Sequence, residues 1–283
     1  MRGSLRLLPN LKRGVAIEEQ IESARKSKPT KSQGAVKPNR VGKFLPPLIP
    51  LILVLLAVLI FLILRGEAKA DQLNIIFLDL SGSQKVTGYS GKKTEFQKNV
   101  RSIEDFIRNN LVPGDELKVV GITESTFSRP NVLLDGTVSR EKGAFGENLA
   151  REKLRLLNKW KNLDLKPTAK KTDILGAANL AAILFSDRPG KKHLIFFSDM
   201  RQCTREMDIE TPNQIDCKKA LATVTQKGLV PDMQGIQVIC LGVHSAKKTP
   251  VYWRNLKQFW AAFFHQANAK LVTFTMERRF VHE

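Results

Sequence analysis

Cysteine and histidine are scarce in this 283-residue chain. There are three cysteines, Cys203, Cys217 and Cys240, and four histidines, His193, His244, His265 and His282. No C-x-x-C occurs and no histidine stands at metal-ligand spacing, so a structural zinc site is excluded as the organising device. A Ser-His-Asp hydrolase needs a histidine in its site, and none of the four has a supporting motif. There is no N-x-S/T sequon, which points away from a glycosylated secretory-pathway domain and toward a bacterial exported one. No internal repeat is evident, which argues against a solenoid. Acidic residues are also thin, 27 Asp and Glu against 46 Lys and Arg, for a net charge of +19.

That charge is unevenly placed. Residues 1–43 carry eleven Lys or Arg against Glu18, Glu19 and Glu22, which is +8 of the total and leaves +11 beyond residue 64. Between them lies "FLPPLIPLILVLLAVLIFLIL", residues 44–64, with no charge at all. At about 1.5 Å per residue it spans roughly 30 Å of hydrocarbon and reads as a transmembrane helix. Pro46, Pro47 and Pro50 sit near its start, where a helix tolerates them. The excess of positive charge before the span predicts a cytoplasmic N-terminus and an extracytoplasmic or periplasmic C-terminal part. A cleaved signal peptide ending near Ala68-Lys69-Ala70 is the rival reading. The basic leader reads as largely disordered, at most locally helical around Val15 to Ala24, and suited to anionic lipid at the membrane surface. Nothing in it has the form of a nucleic-acid module.

Residues 65–72 form a short linker, and residues 73–283 a globular domain. Short apolar runs alternate there with helical periodicity. "NIIFLDL" is followed by Phe96, Val100, Ile103 and Ile107 on one helical face, stopped at Pro113-Gly114. "ELKVVGIT" and "NVLLDGTV" read as a strand and its hairpin partner. A basic amphipathic segment carries Leu149, Leu156, Trp160 and Leu163, and "TDILGAANLAAILF" makes a small-residue helix. "HLIFFSD", "IQVICLGV" and "KLVTFTM" are three further strands, the last two separated by an aromatic helix around Trp253 to Ala267. Strands that read as continuous apolar runs between helices indicate an α/β fold with a doubly wound, mostly parallel sheet and helices on both faces.

Ligands in such sheets gather at the carboxyl ends of the strands. The first strand ends in "LDLSGSQK", which presents Asp79, Ser81 and Ser83 together at that edge. Thr172, in "KKTDILGAANLA", lies immediately before a helix, and Thr168 in the same loop is its rival. "IFFSDMRQ" ends a central strand with Ser198 and Asp199. The Asp79 and Asp199 carboxylates with the Ser81, Ser83 and Thr172 hydroxyls, from three loops, make a hard, oxygen-only donor set, suited to Mg²⁺ and also to Mn²⁺. A haloacid-dehalogenase-type phosphatase also starts from an aspartate after its first strand, but needs a second carboxylate two residues on, where this chain has Ser81. No enzymatic activity is expected.

This pattern resembles the von Willebrand factor A domain. The resemblance is carried by Asp79-Leu80-Ser81-Gly82-Ser83, by Thr172 with Asp173, and by Asp199, matching the D-x-S-x-S, threonine and aspartate elements of the metal-ion-dependent adhesion site. It implies that Ser81, Ser83 and Thr172 meet a Mg²⁺ ion directly, with Asp79 and Asp199 direct or through water. It further implies a protein partner whose exposed Asp or Glu completes the coordination. Two departures stand out: Met200 occupies a position that is commonly glycine, and the Lys-rich "QKVTGYSGKKT" delays the first helix. The expectation is a membrane-anchored, metal-dependent protein-binding module. Its rivals are a basic scaffold for an anionic polymer and a vestigial site on a domain that only packs in an envelope complex. Cys203 and Cys217 flank a polar loop and could pair, while Cys240 reads as a buried thiol.

Overall fold

The computed structural model describes residues 72–87, 93–141, 143–211, 214–244 and 248–280. The chain divides into two units at Leu64/Arg65, and all described residues belong to the second. The leader, the apolar run 44–64 and residues 65–71 lie outside the described residues. Among the described residues, no helix is long and apolar enough to cross a membrane.

Six strands, β1 (Gln72–Asp79), β2 (Glu116–Ile122), β3 (Asn131–Thr137), β4 (Lys191–Phe197), β5 (Ile236–Leu241) and β6 (Lys270–Phe274), form one sheet in the order β3-β2-β1-β4-β5-β6. All pairings are parallel except β2 with β3, the expected hairpin. The helices are α1 (Glu95–Asn109), α2 (Glu147–Lys161), α3 (Ile174–Phe185), α4 (Cys217–Gln226) and α5 (Pro250–Gln266).

The central strands are apolar on both sides because both faces are covered, and period-2 alternation sends successive side chains to opposite layers. Ile75 and Phe77 of β1, with Leu194 and Phe196 of β4, join the layer built with α3, α4 and α5. Ile76 and Leu78, with Ile195 and Phe197, join the layer built with α1 and α2. The aromatic stripe of α5 supplies Phe259, Trp260, Phe263 and Phe264, all fully buried in the first layer.

Helix starts follow local chemistry. Thr94 and Gln97 form a reciprocal capping box at α1, satisfying two backbone donors that a helix end leaves orphaned. Asp173 caps α3 through Gly176 N–H at 2.8 Å, and a Cβ at position 176 would overlap that carboxylate. Helix α4 was not anticipated. Of its ten residues only Val224 is fully buried, so it carries too little apolar periodicity to announce itself, although Asp216 caps it by accepting from Lys219 N–H.

The sheet order reverses direction at β1, which has β2 on one side and β4 on the other. The carboxyl ends of β1 and β4 therefore bound the crevice at the switch point.

Candidate metal centre

Asp79 is the last residue of β1 and is fully buried. Its Oδ1 accepts the Ser81 N–H at 2.8 Å and its Oδ2 accepts the Ser198 hydroxyl at 2.6 Å. A single 3₁₀ turn, Gly82–Lys85, follows at once. It folds Ser83 back so that the Ser81 and Ser83 hydroxyl oxygens lie 2.8 Å apart. Gln84, also buried, points its amide at Asp79 Oδ2 (3.4 Å) and accepts from Asn99 of α1 at 3.1 Å. The "QKVTGYSGKKT" insertion is pinned where it leaves and returns, by a bridge between Thr87 and Thr94 and by Glu95 N–H donating to Val86 O at 2.9 Å.

The three loops are stitched to each other through backbone. Ala169 N–H donates to Leu80 O at 2.8 Å and Gly82 N–H donates to Ala169 O at 3.1 Å, joining the first loop to the one before α3. Thr172 and Cys203 exchange backbone bonds of 3.3 and 2.9 Å, joining that loop to the one after β4. Gln202 then reaches back to cap α3, accepting from Leu175 N–H at 3.0 Å. Thr172 is buried at 1% exposure and Ser81 at 3%. Thr168 is exposed and lines a groove of about 700 Å³ with Lys85, Phe96 and Trp160. The structure thus separates the two threonines: Thr172 is enclosed between loops and Thr168 faces outward.

Asp199 is fully buried, and it is not free. Arg201 Nη2 donates to its Oδ2 at 2.6 Å, and the Arg201 backbone N–H donates to its Oδ1 at 3.2 Å. Burial opposes charge on the guanidinium, but Asp199 more than offsets it, so Arg201 stays cationic. His244, after β5, brings its Nε2 to 3.7 Å from Asp199 Oδ2. Burial pushes this imidazole down toward its neutral form, and the Nε2 has no hydrogen-bond partner. Burial first, and then the Asp199 charge, push the Asp79 carboxyl up to about 7, against the lowering effect of the Ser198 and Ser81 hydrogen bonds. Two buried carboxylates thus meet at this edge, Asp199 paired with Arg201 and Asp79 held by the Ser198 hydroxyl and the Ser81 N–H.

No protein-family profile matches this chain, and no curated protein does. Solved structures that resemble it include the SpRpn10 VWA domain, 17% identical, covering 72% of this chain and 88% of that one at a TM-score of 0.35. An aerotolerance-related membrane protein from Bacteroides fragilis is 15% identical over 60% of this chain and 66% of its own, TM-score 0.32. The von Willebrand factor type A from Catenulispora acidiphila is 13% identical over 70% and 43%, TM-score 0.35. At these identities and scores the fold assignment rests on the strand order itself, and no residue role is transferred.

All five residues expected at the site stand at one sheet edge, Asp79 at the end of β1 and the other four in the turn and loops beyond the strands. Among the described residues, no group of three or more His, Cys, Asp or Glu could hold a metal ion, so an ion at this edge would depend on the serine and threonine hydroxyls. In its chemistry the donor set fits Mg²⁺. Three participants escaped sequence reading. Arg201 and His244 carry no motif, and Gln84 is one polar residue in a polar turn. Met200 does not crowd the edge: its side chain is fully buried in the layer beneath.

Cys203 and Cys217 do not pair; all three cysteines are free thiols. Cys217 opens α4 and donates its Sγ–H to Asn255 O at 3.1 Å, while the Cys203 backbone is bridged to Thr172 and to Asp208. The polar loop therefore has its own anchors at both ends.

Proposed function

We propose that the chain is a membrane-anchored protein-binding module of the von Willebrand factor A type, whose sheet edge holds Mg²⁺ and recruits an acidic side chain of a partner protein. The observation that carries this reading is the buried Asp79 and Asp199 pair at the switch point, with the Ser81 and Ser83 hydroxyls 2.8 Å apart beside Asp79. Ser81, Ser83 and Thr172 would hold the ion, with Asp79 and Asp199 direct or through water, and Mn²⁺ would fit the same donors. Bound Mg²⁺ supplies residual positive charge to which an incoming carboxylate gains an oriented contact. The chain's own residues do the rest: the 3₁₀ turn positions the serines, and Ser198 and Gln84 orient Asp79. Residues 44–64 would be the anchor, with the basic leader on the cytoplasmic side against anionic lipid and the domain outside the cytoplasm. No catalytic role is assigned.

Calorimetric titration of Mg²⁺ into the full chain tests the metal. Saturable binding is expected in the wild type and its loss in Asp79→Ala; equal or absent heats in both would sink the reading.

A second reading draws on a basic groove of about 790 Å³ between α1 and the C-terminal residues, lined by Lys93, Lys98, Arg101, Arg278 and Arg279 against Asp105 and Glu277. It would serve a scaffold for an anionic polymer. Binding of that kind falls steeply with salt and ignores EDTA, whereas metal-centred binding does the reverse.

A further inference from the structure

The metal reading leaves one buried ion unexplained. Arg201 already supplies a positive charge to Asp199, using Nη2 for Oδ2 and its backbone N–H for Oδ1. Both side chains are out of water, at 7% and 0% exposure. In so poorly screened a place, a divalent ion near Asp199 would have to share the carboxylate with a guanidinium and would repel it strongly. Breaking such a pair without a substitute is costly, because it strands a buried charge.

There is a place for the displaced guanidinium to go. Glu210 Oε1 lies 3.3 Å from Arg201 Nη1, and this glutamate is 32% exposed, nearer the rim than Asp199. Arg201 Nε is buried with no hydrogen-bond partner. The guanidinium is thus held between two carboxylates with one donor unused. Its backbone stays in place, because Thr172–Cys203 and Ile209–Gln202 hydrogen bonds of 2.9 and 3.0 Å brace the chain that follows.

We propose that Arg201 is a built-in competitor of the metal: the Arg201–Asp199 pair and a divalent ion drawing on Asp199 exclude one another, and Glu210 receives the guanidinium when the ion enters. This rests on the metal reading above and specifies what sets its affinity. The two residues act in opposite senses. Arg201 opposes the ion, and Glu210 favours it by giving the arginine somewhere to go.

The test measures Mn²⁺ bound to the full chain, from the EPR signal of free Mn²⁺, and thermal unfolding with and without Mg²⁺. The variants are wild type, Arg201→Gln, Glu210→Gln, the double variant and Asp79→Ala. Arg201→Gln is expected to bind Mn²⁺ about tenfold more tightly than wild type, within the range of coupling between contacting residues. Without metal it should unfold at lower temperature than wild type, and it should gain more from Mg²⁺. Glu210→Gln should bind several-fold more weakly, an effect that disappears in the Arg201→Gln background. A Glu210→Gln effect that persists unchanged there would mean only bulk charge and would overturn the receiving role. Should Arg201→Gln not fold, Arg201→Lys replaces it, since one ammonium cannot fork across both carboxylates; tighter binding is again expected. Binding equal to or weaker than wild type in the arginine variants, still abolished by Asp79→Ala, would overturn the competition and leave the metal site standing. No binding in any variant would remove both.

Discussion

Met200 adopts φ 61°, a left-handed backbone conformation that L side chains rarely hold. It persists because its surroundings over-determine it. The Met200 N–H donates to the Ser198 hydroxyl at 2.9 Å, its carbonyl accepts from Trp260 Nε1 at 2.7 Å, and its side chain is fully buried. Glycine here would relieve about 1 kcal/mol of backbone strain but remove a buried side chain whose loss typically costs about 2–5 kcal/mol. Met200→Gly is therefore expected to lose about 2 kcal/mol in urea unfolding, with Mg²⁺ binding unchanged. Arg201, its neighbour, shows the limit of reading at this scale: the type and position of the residue are plain in "SDMRQ", but the direction of its side chain is not. The thiols give a second residue-scale expectation. Burial pushes Cys203 and Cys217 up and Cys240 well up, and thiolates are the reactive form. Without reductant, three thiols per chain should titrate after unfolding, with Cys240 unreactive in the native state; fewer than three would show a disulfide.

The elements divide into those whose pattern is intrinsic and those that depend on neighbours. The β1 and β4 runs and the Phe96, Ile103 and Ile107 stripe of α1 were legible because a buried face imposes its own period on the sequence. Helix α4 was not, since it lies on the surface and buries little. The residues after β6 were also silent, yet they form a strap across the α1 layer. Val243 N–H donates to Thr275 O at 3.0 Å, Phe280 packs at a tilt against Phe106 with centroids 4.6 Å apart, and Arg278 donates to Asn99 Oδ1 at 2.6 Å. Arg278 also pairs with Glu95, which Lys98 contacts from the next turn. Burial alone would raise Glu95; the hydrogen bond from Lys98 and the Arg278 charge more than reverse this, so its carboxyl sits below the ordinary value of 4.5. A depressed carboxyl stabilises the fold above that value and loses its contribution as pH falls through it and below. Glu95→Gln should therefore flatten the acid limb of the stability curve below pH 4.5. Deleting residues 278–283 should lower the melting temperature by about 5 °C, and an unchanged value in calorimetry would show that the strap contributes nothing.

At the scale of the molecule, charge and hydropathy fall on separate parts of the chain, with +8 in the leader, none in residues 44–64 and +11 beyond. The proposed orientation puts residue 283 outside the cytoplasm, so a phosphatase reporter fused there should be active in whole cells and a cytoplasm-dependent reporter inactive; the opposite pattern would reverse the topology. Sequence by itself determined the fold class, because strand and helix periods are local and alternate in order. It also determined which residues stand at the carboxyl edge, because Asp79, Ser81, Ser83, Thr172 and Asp199 all follow strands or precede a helix. Only tertiary structure decided how that edge is held and whether it is free. The loops are joined by Leu80–Ala169 and Thr172–Cys203 backbone bonds between residues about 30 to 90 positions apart, and no local pattern encodes such pairings. Asp199 is claimed by Arg201, two positions away, and the guanidinium is held there with Glu210, nine positions further on, at its other side. Electrostatics inside a protein belongs to what surrounds a charge, and the surroundings are assembled by the fold.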